Sequence, residues 1–235
     1  MIDPAQLERG RELLAGAESI CVLSGAGVSA ESGVPTFRGE GGLWKSYRAE
    51  DLATPGAFRR DPRLVWEWYE WRREKIRGCS PNPGHVAIAR MALEGAPTRV
   101  VTQNVDGLHE KAARDLAGSA DPSPALPLEL HGSIFRVRCT SCDYRVPHRD
   151  PIQSGSADEL PRCPVCSALL RPDVVWFGES LDPGVLNEAF RVAREASVCL
   201  VVGTSALVQP AASVPLATLE GGGSVVEVNP TETPL

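Results

Sequence analysis

Four short apolar runs rich in Val and Ile, at 20–23, 99–102, 198–202 and 225–228, constrain this chain most. Continuous apolar runs of this length read as strands buried on both faces, the pattern of a parallel sheet. Helical segments precede or connect them, notably 5–16, 84–94 and 184–196, and such alternation predicts a doubly wound α/β fold. Residues 40–78, rich in Trp and Arg, read as helical, while 136–172 hold two cysteine pairs among Pro, Ser and Asp. The resulting expectation is a Rossmann-like large domain from 1–39, 84–135 and 173–235. A smaller lobe is expected from a helical insertion at 40–83 and a zinc-ribbon insertion at 136–172. Substrates would bind in the cleft between the lobes. The Pro/Ser-rich segment 116–129 reads as a loop.

The first run leads directly into GAGVSAESGVPTFRG, Gly25 to Gly39. Glycines after a strand let the backbone approach a pyrophosphate, and the first N–H groups of a following helix can hold its charge. The dinucleotide fingerprint G-x-G-x-x-G is incomplete, because Ala30 occupies the third glycine position. An ordinary turn and helix cap is the competing reading of the loop alone.

Seven cysteines divide into two groups. Cys139 and Cys142 form one C-x-x-C and Cys163 and Cys166 a second, at a separation that suits a zinc ribbon. Four thiolates close a tetrahedral site and leave no position for water, so the expected ion is one structural zinc. A disulfide pair or a redox C-x-x-C is the alternative, but redox motifs occur singly. Cys21 and Cys199 sit in apolar runs and read as small buried hydrophobes, and Cys79 lies in a turn.

Three more segments matter together: TQNVDGLH from Thr102 to His109, LHGS from Leu130 to Ser133, and VVGTS from Val201 to Ser205 with VNP at Val228 to Pro230. With the glycine loop they resemble the sirtuins, the NAD-dependent protein-lysine deacylases, in the expected order over almost the whole chain. In that family the acyl-lysine carbonyl oxygen attacks a ribose carbon of NAD, releasing nicotinamide, and a base then helps a ribose hydroxyl attack the intermediate. The resemblance implies that His131 is this base, a role suited to a side chain that titrates near neutrality. It places Gly25, Ala26, Gly27, Ser29 and Ala30 at the cofactor, with Phe37 and Arg38 beside the nicotinamide and the phosphates. Gln103, Asn104 and Asp106 would hold the nicotinamide ribose and carboxamide, for which amides and a carboxylate carry the right donors and acceptors. Asp106-Gly107 is also ordinary turn chemistry. Gly203, Thr204 and Ser205 fall on the diphosphate side and Asn229 on the adenine-ribose side. Sirtuins continue beyond this point with a segment that helps close the adenine side, so adenine contacts past Asn229 are not assigned.

RPDVVWFGE, Arg171 to Glu179, resembles the segment that pairs with substrate peptide as an added strand. Val174, Val175, Trp176 and Phe177 are thus candidates for substrate binding, while the first three fit a buried strand equally well. Tyr69 and Arg72, three apart on one helical face, together with Ala53, resemble the branch that removes succinyl, malonyl and glutaryl groups. There Ala53 would leave room and Tyr69 and Arg72 would hold a distal carboxylate. A core-edge Tyr and a solvated Arg are the alternative. His109, His85 and His148 are read as structural: His109 as packing at a helix start, His85 in a first helical turn, and His148 near a zinc site already complete.

Acyl-lysine proteins or peptides are the expected partners, with plain deacetylation or mono-ADP-ribosyl transfer as neighbouring activities. A dehydrogenase would share the sheet and loop but has no need of TQNVD, LHG and a ribbon together. A nucleic-acid-binding ribbon should be basic, whereas this chain carries a net charge of -6. No run approaches membrane-spanning length, and the N-terminal segment reads as an amphipathic helix rather than a signal core, so a cytoplasmic protein is expected.

Overall fold

The computed structural model describes residues 3–35, 43–44 and 47–235, with 43 and 44 by backbone alone. Helix α1 (Pro4–Ala15) is capped by the Asp3 carboxylate and leads into β1 (Ile20–Ser24). A short antiparallel pair, β2 (Leu43–Trp44) and β3 (Tyr47–Arg48), precedes the helices α2 (Ala49–Leu52), α3 (Pro55–Arg60) and α4 (Pro62–Arg77). Helix α5 (Pro83–Glu94), β4 (Thr98–Thr102), α6 (Leu108–Ala117) and β5 (Leu128–Glu129) follow. Next come β6 (Gly132–Cys139), β7 (Arg145–Pro147) and β8 (Leu170–Val174). The chain returns through α7 (Pro183–Glu195), β9 (Val198–Val202), α8 (Val214–Glu220) and β10 (Ser224–Val228).

Among the described residues the large sheet has five strands in the order β10-β9-β1-β4-β5, all parallel. The four Val/Ile runs form its adjacent members. Alternate residues of β1 point to opposite faces, as a strand requires. Cys21 and Leu23 join Val201, Ala189, Val192 and Ala217 on the side of α7 and α8. Ile20 and Val22 join Val100, Leu200 and Ile88 on the side of α5. Both faces are therefore covered, which is the doubly wound arrangement the alternation predicts. Cys21 and Cys199 are register partners with no exposed surface, in keeping with their reading as small hydrophobes.

The second sheet has the order β7-β6-β8 and is antiparallel. Its core is shared with α2–α4: Trp66, Tyr69, Val65 and Phe58 pack with Ile134, Val137, Leu170 and Trp176. Buried Arg73 ties α4 to this sheet by donating to the carbonyls of Ile134 (3.1 Å), His148 (2.6 Å) and Asp150 (2.8 Å). The second sheet starts at Gly132 and ends at Val174, outside the 136–172 span expected for the ribbon, so the change of sheet falls directly after His131. Two further differences are local. The segment 116–129 holds a helical turn at Ser123–Ala125 and the edge strand β5, because Leu128 and Glu129 pair with Val101 and Thr102. The helix expected after the glycine loop takes 3-10 form, Ala26–Ser32, and Gly33 ends it at φ +82.

Candidate functional site

Close backbone packing explains the glycines at the carboxyl ends of β1 and β9. Gly27 donates its N–H to the Gly203 carbonyl at 2.8 Å. A Cβ on Gly203, which has φ +60, would lie 2.3 Å from the Val28 nitrogen, and one on Gly25 would lie 2.7 Å from the Thr204 Cβ. The two loops can meet only as glycines. Gly27 and Ala30 are exposed, Ala26 is half-buried and Ser29 is buried.

The TQNVD segment locks onto this pair. Asn104 donates from Nδ2 to the Gly25 carbonyl (3.1 Å) and to Ser29 Oγ (3.2 Å), and Ser29 donates to Asp106 Oδ2 at 2.8 Å. Asp106 also accepts the Leu108 N–H at 2.9 Å, which starts α6. Gln103 Nε2 donates to Thr204 Oγ1 at 2.9 Å, and Asn229 Nδ2 donates to the Thr204 carbonyl at 2.8 Å. Half-buried Ser205 follows on the same loop. Gly25, Ala26, Gly27, Ser29, Gln103, Asn104, Asp106, Gly203, Thr204 and Asn229 thus converge on one end of the large sheet, the place where open α/β sheets bind ligands. Phe37 and Arg38 lie outside the described residues.

His131 stands where the chain leaves one sheet for the other. Leu130 donates its N–H to the Thr102 carbonyl (2.9 Å), and the His131 carbonyl accepts from Val175 at 3.0 Å. The ring is held by Nδ1 against the Gln103 carbonyl at 2.9 Å. A carbonyl can only accept, so Nδ1 carries the proton and Nε2 is left with a lone pair. Burial, which favours the neutral form, pushes the His131 pKa down, against the opposing effect of that hydrogen bond, which favours the charged one.

The Arg171–Glu179 segment closes the other side. Val174 and Trp176 are buried side chains, Val175 is half-buried and Phe177 is exposed. Phe177 donates its N–H to the Ala53 carbonyl at 2.9 Å, and Trp176 Nε1 donates to the Tyr69 hydroxyl at 2.8 Å. The Arg171 guanidinium lies over the Trp176 ring at 3.2 Å and pairs with Glu179. Arg72, also buried, lies 5.1 Å from the Trp68 ring and 6.0 Å from the Tyr69 ring. Burial raises the Tyr69 pKa to about 12 and lowers that of Arg72. The structure therefore brings Ala53, Tyr69, Arg72 and Trp176 together, with Tyr69 and Trp176 deep in the core rather than at its edge.

Four sulfurs from Cys139, Cys142, Cys163 and Cys166 lie within 4.8 Å of one another, with contacts of 3.4 Å and 3.6 Å. A tetrahedron of Zn–S bonds near 2.3 Å has sulfur–sulfur edges of about 3.8 Å, so the donor set fits one zinc ion. The Ser141 and Val165 N–H groups donate to the Sγ atoms of Cys139 and Cys163 (3.3 and 3.4 Å), and the first of these bonds favours the Cys139 thiolate.

Two features were not legible as site elements. Arg136 donates to Glu129 at 2.7 Å and to Asp173 at 2.8 Å, bridging the two sheets around His131. Its partners lie 7 and 37 residues away, and no motif spacing links them. His109 packs at the start of α6 as expected, but its Nε2 also meets Ser24 Oγ at 2.8 Å. Burial, with His85 nearby, lowers its pKa from 6.5 to about 3. Between these values the unfolded chain binds the extra proton, so stability falls as pH drops below about 6.5. From pH 7 to pH 5 this costs about 2 kcal/mol. Urea unfolding at the two pH values should show that loss in the wild type and not in His109→Gln; equal pH slopes would contradict it.

A family model described as "Sir2 family" matches residues 25–210. An "NAD-dependent protein deacylase" of Pyrococcus furiosus is 53% identical over 220 residues, 93% of this chain and 84% of that protein. An "NAD-dependent protein deacylase 1" of Pseudomonas aeruginosa is 53% identical over 224 residues, 93% of this chain and 86% of the other. Among solved structures, a "Sir2 homolog-NAD complex" superposes with a TM-score of 0.86 at 48% identity, covering 97% of this chain and 84% of that one. A "Sir2-p53 peptide-NAD+" complex gives 0.81 at 31% identity, covering 97% and 88%.

Proposed function

The chain belongs to the Sir2 family and is an NAD-dependent protein deacylase, and from that premise we propose which residues carry the reaction and which acyl groups they accept. NAD supplies an electrophilic ribose carbon, with nicotinamide as its leaving group. The loops at Gly25–Ala30, Gln103–Asp106 and Gly203–Ser205, with Asn229, hold it. Phe37 and Arg38 belong to the same proposal by their motif. His131 is the base: its Nε2 takes the proton of a ribose hydroxyl that attacks the acyl carbon. The observation that carries this role is the Nδ1 contact to the Gln103 carbonyl, which fixes the tautomer and aims the ring from the loop assigned to the nicotinamide ribose.

Acyl-lysine peptide, in this reading, enters between the two sheets and pairs with the backbone at Val174–Phe177. Peptides are bound in related Sir2 structures, which supports a peptide partner. The acyl chain reaches towards Ala53, Tyr69 and Arg72. A buried guanidinium stacked on aromatic rings gains most from an anion, which favours succinyl, malonyl or glutaryl groups over acetyl. The burial of Tyr69 and its bond to Trp176 favour a second reading, in which the pair serves only the fold.

Arg72→Met separates the two. Each hydrogen bond to a charged group contributes about 1.5 to 3 kcal/mol, so succinyl-lysine efficiency should fall about ten- to a hundredfold while acetyl-lysine changes little. Parallel losses on both peptides would return Arg72 to the fold, and a wild type that prefers acetyl would make the enzyme a plain deacetylase.

A further inference from the structure

A second buried polar cluster lies beneath the loops assigned to NAD. Ser24 and Thr102 are register partners at the carboxyl ends of β1 and β4. Ser24 Oγ donates to Thr102 Oγ1 at 2.8 Å and meets His109 Nε2 at 2.8 Å. Their exposures are 0%, 2% and 4% in the order Ser24, Thr102, His109. Thr102 Oγ1 also accepts the Asn104 N–H at 3.1 Å. That bond turns the chain out of β4 at the point where Gln103 and Asn104 must face the site, since a threonine hydroxyl that takes an N–H two residues on competes with the ladder. The Ser24 bond to Thr102 fixes the rotamer of that hydroxyl, and His109 fixes Ser24.

The cluster also abuts the glycine loop. The His109 ring lies 4.8 Å from that of His85, which meets Ser29 Oγ at 3.2 Å. Asn82 donates its N–H to His85 Nδ1 at 3.3 Å, so His85 Nε2 carries the proton and donates to Ser29. Ser29 in turn donates its hydroxyl hydrogen bond to Asp106. Three buried polar side chains, two at strand ends of the parallel sheet and one on α6, are costly to bury, and apolar residues of similar size would fill the same space. What the hydrogen bonds add is orientation at two strand ends, each one residue before a loop assigned to the cofactor.

We propose that His109 is a positioning residue for the cofactor site: through Ser24 and Thr102 it sets the turn that presents Gln103 and Asn104, without itself touching NAD or peptide. The proposal rests on the assignment of those loops to NAD. Calorimetric titration with NAD and steady-state kinetics on the whole protein test it with His109→Leu, His109→Gln, Ser24→Ala and Asp106→Asn. His109→Leu should raise the Kd and KM for NAD about five- to tenfold, with the KM for acyl peptide within about twofold of wild type. His109→Gln, which keeps a nitrogen near the Nε2 position, should restore most of the loss. Ser24→Ala should reproduce the defect, and carries the test if His109→Leu fails to fold. A lowered Tm with unchanged NAD affinity, equal rises in both KM values, or a Gln variant no better than Leu would overturn the positioning role. Weak NAD binding in Asp106→Asn alongside normal binding in His109→Leu overturns that role alone. Unchanged binding in Asp106→Asn overturns the assignment of the loop, and this proposal with it.

Discussion

His131→Ala is expected to lower NAD-dependent deacylation by about 10²- to 10⁴-fold, the range that a positioned general base contributes. The loss should fall on kcat, because the base acts on bound reactants. NAD affinity should stay close to wild type, since the ring is aimed by Gln103 and the loops are held together by Asn104, Ser29 and Thr204. Nicotinamide release precedes the step assigned to His131, so exchange of labelled nicotinamide into NAD in the presence of acyl peptide should persist. A variant with near wild-type turnover would remove His131 from the role. Loss of exchange together with turnover would move the histidine to an earlier step. The pH profile gives a second check. Burial lowers the pKa of His131, so the acid limb of kcat/KM should lie below pH 6.5, the ordinary value for histidine. A limb above that value would mean that another group controls the reaction.

Removal of the metal should have the largest effect on stability. Structural zinc contributes about 10–16 kcal/mol in small zinc-finger peptides. If even about a third of that survives here, roughly 4 kcal/mol, the Tm should fall by about 8 to 16 °C, since 1 kcal/mol moves a chain of this size by about 2–4 °C. Cys163→Ser is the variant of choice, because Cys163 is buried and joins the same core as Leu160, Leu170 and Ile152. Metal analysis should find one zinc per wild-type chain and none in the variant. The damage should spread to activity, because β6 begins at Gly132, one residue after His131, and ends at the ligand Cys139. An intact protein free of zinc, or a Cys163→Ser variant with unchanged Tm and kcat, would contradict this account of the ribbon.

How much of this is legible in the sequence depends on the range of the signal. β1, β4 and β9 announce themselves because a strand buried on both faces needs an apolar run, and that run is local; β10 shares the pattern but lies at the sheet edge, half-buried, with Val228 exposed. The cysteine knuckles announce themselves for the same reason: two ligands three residues apart fit one turn of chain. Helices α5 and α7 carry their starts openly, with Asn82 and Asp182 as caps and Pro83 and Pro183 behind them.

β5 was hidden, because two residues in a Pro/Ser-rich segment have no periodicity and gain strand geometry only from pairing with Val101 and Thr102. The depth of Tyr69 was hidden too. Its burial depends on Trp176, 107 residues later, which no helical spacing reveals. The same holds for Ser24, whose partners Thr102 and His109 are 78 and 85 residues away. The sequence marks His109 only as packing at a helix start; the register of β1 with β4 pairs Ser24 with Thr102, and α6 brings His109 to Ser24. The glycine loop was legible in kind: a helix follows it, in 3-10 form, and its glycines allow the close approach to Gly203.

Product analysis on the wild-type protein tests the central claim most directly. Incubation with NAD and a panel of acetyl-, malonyl-, succinyl- and glutaryl-lysine peptides, followed by mass detection, should give one nicotinamide and one O-acyl-ADP-ribose for each peptide deacylated, with no deacylation when NAD is left out. Deacylation without NAD, or ADP-ribose attached to protein while the peptide keeps its acyl group, would contradict the account.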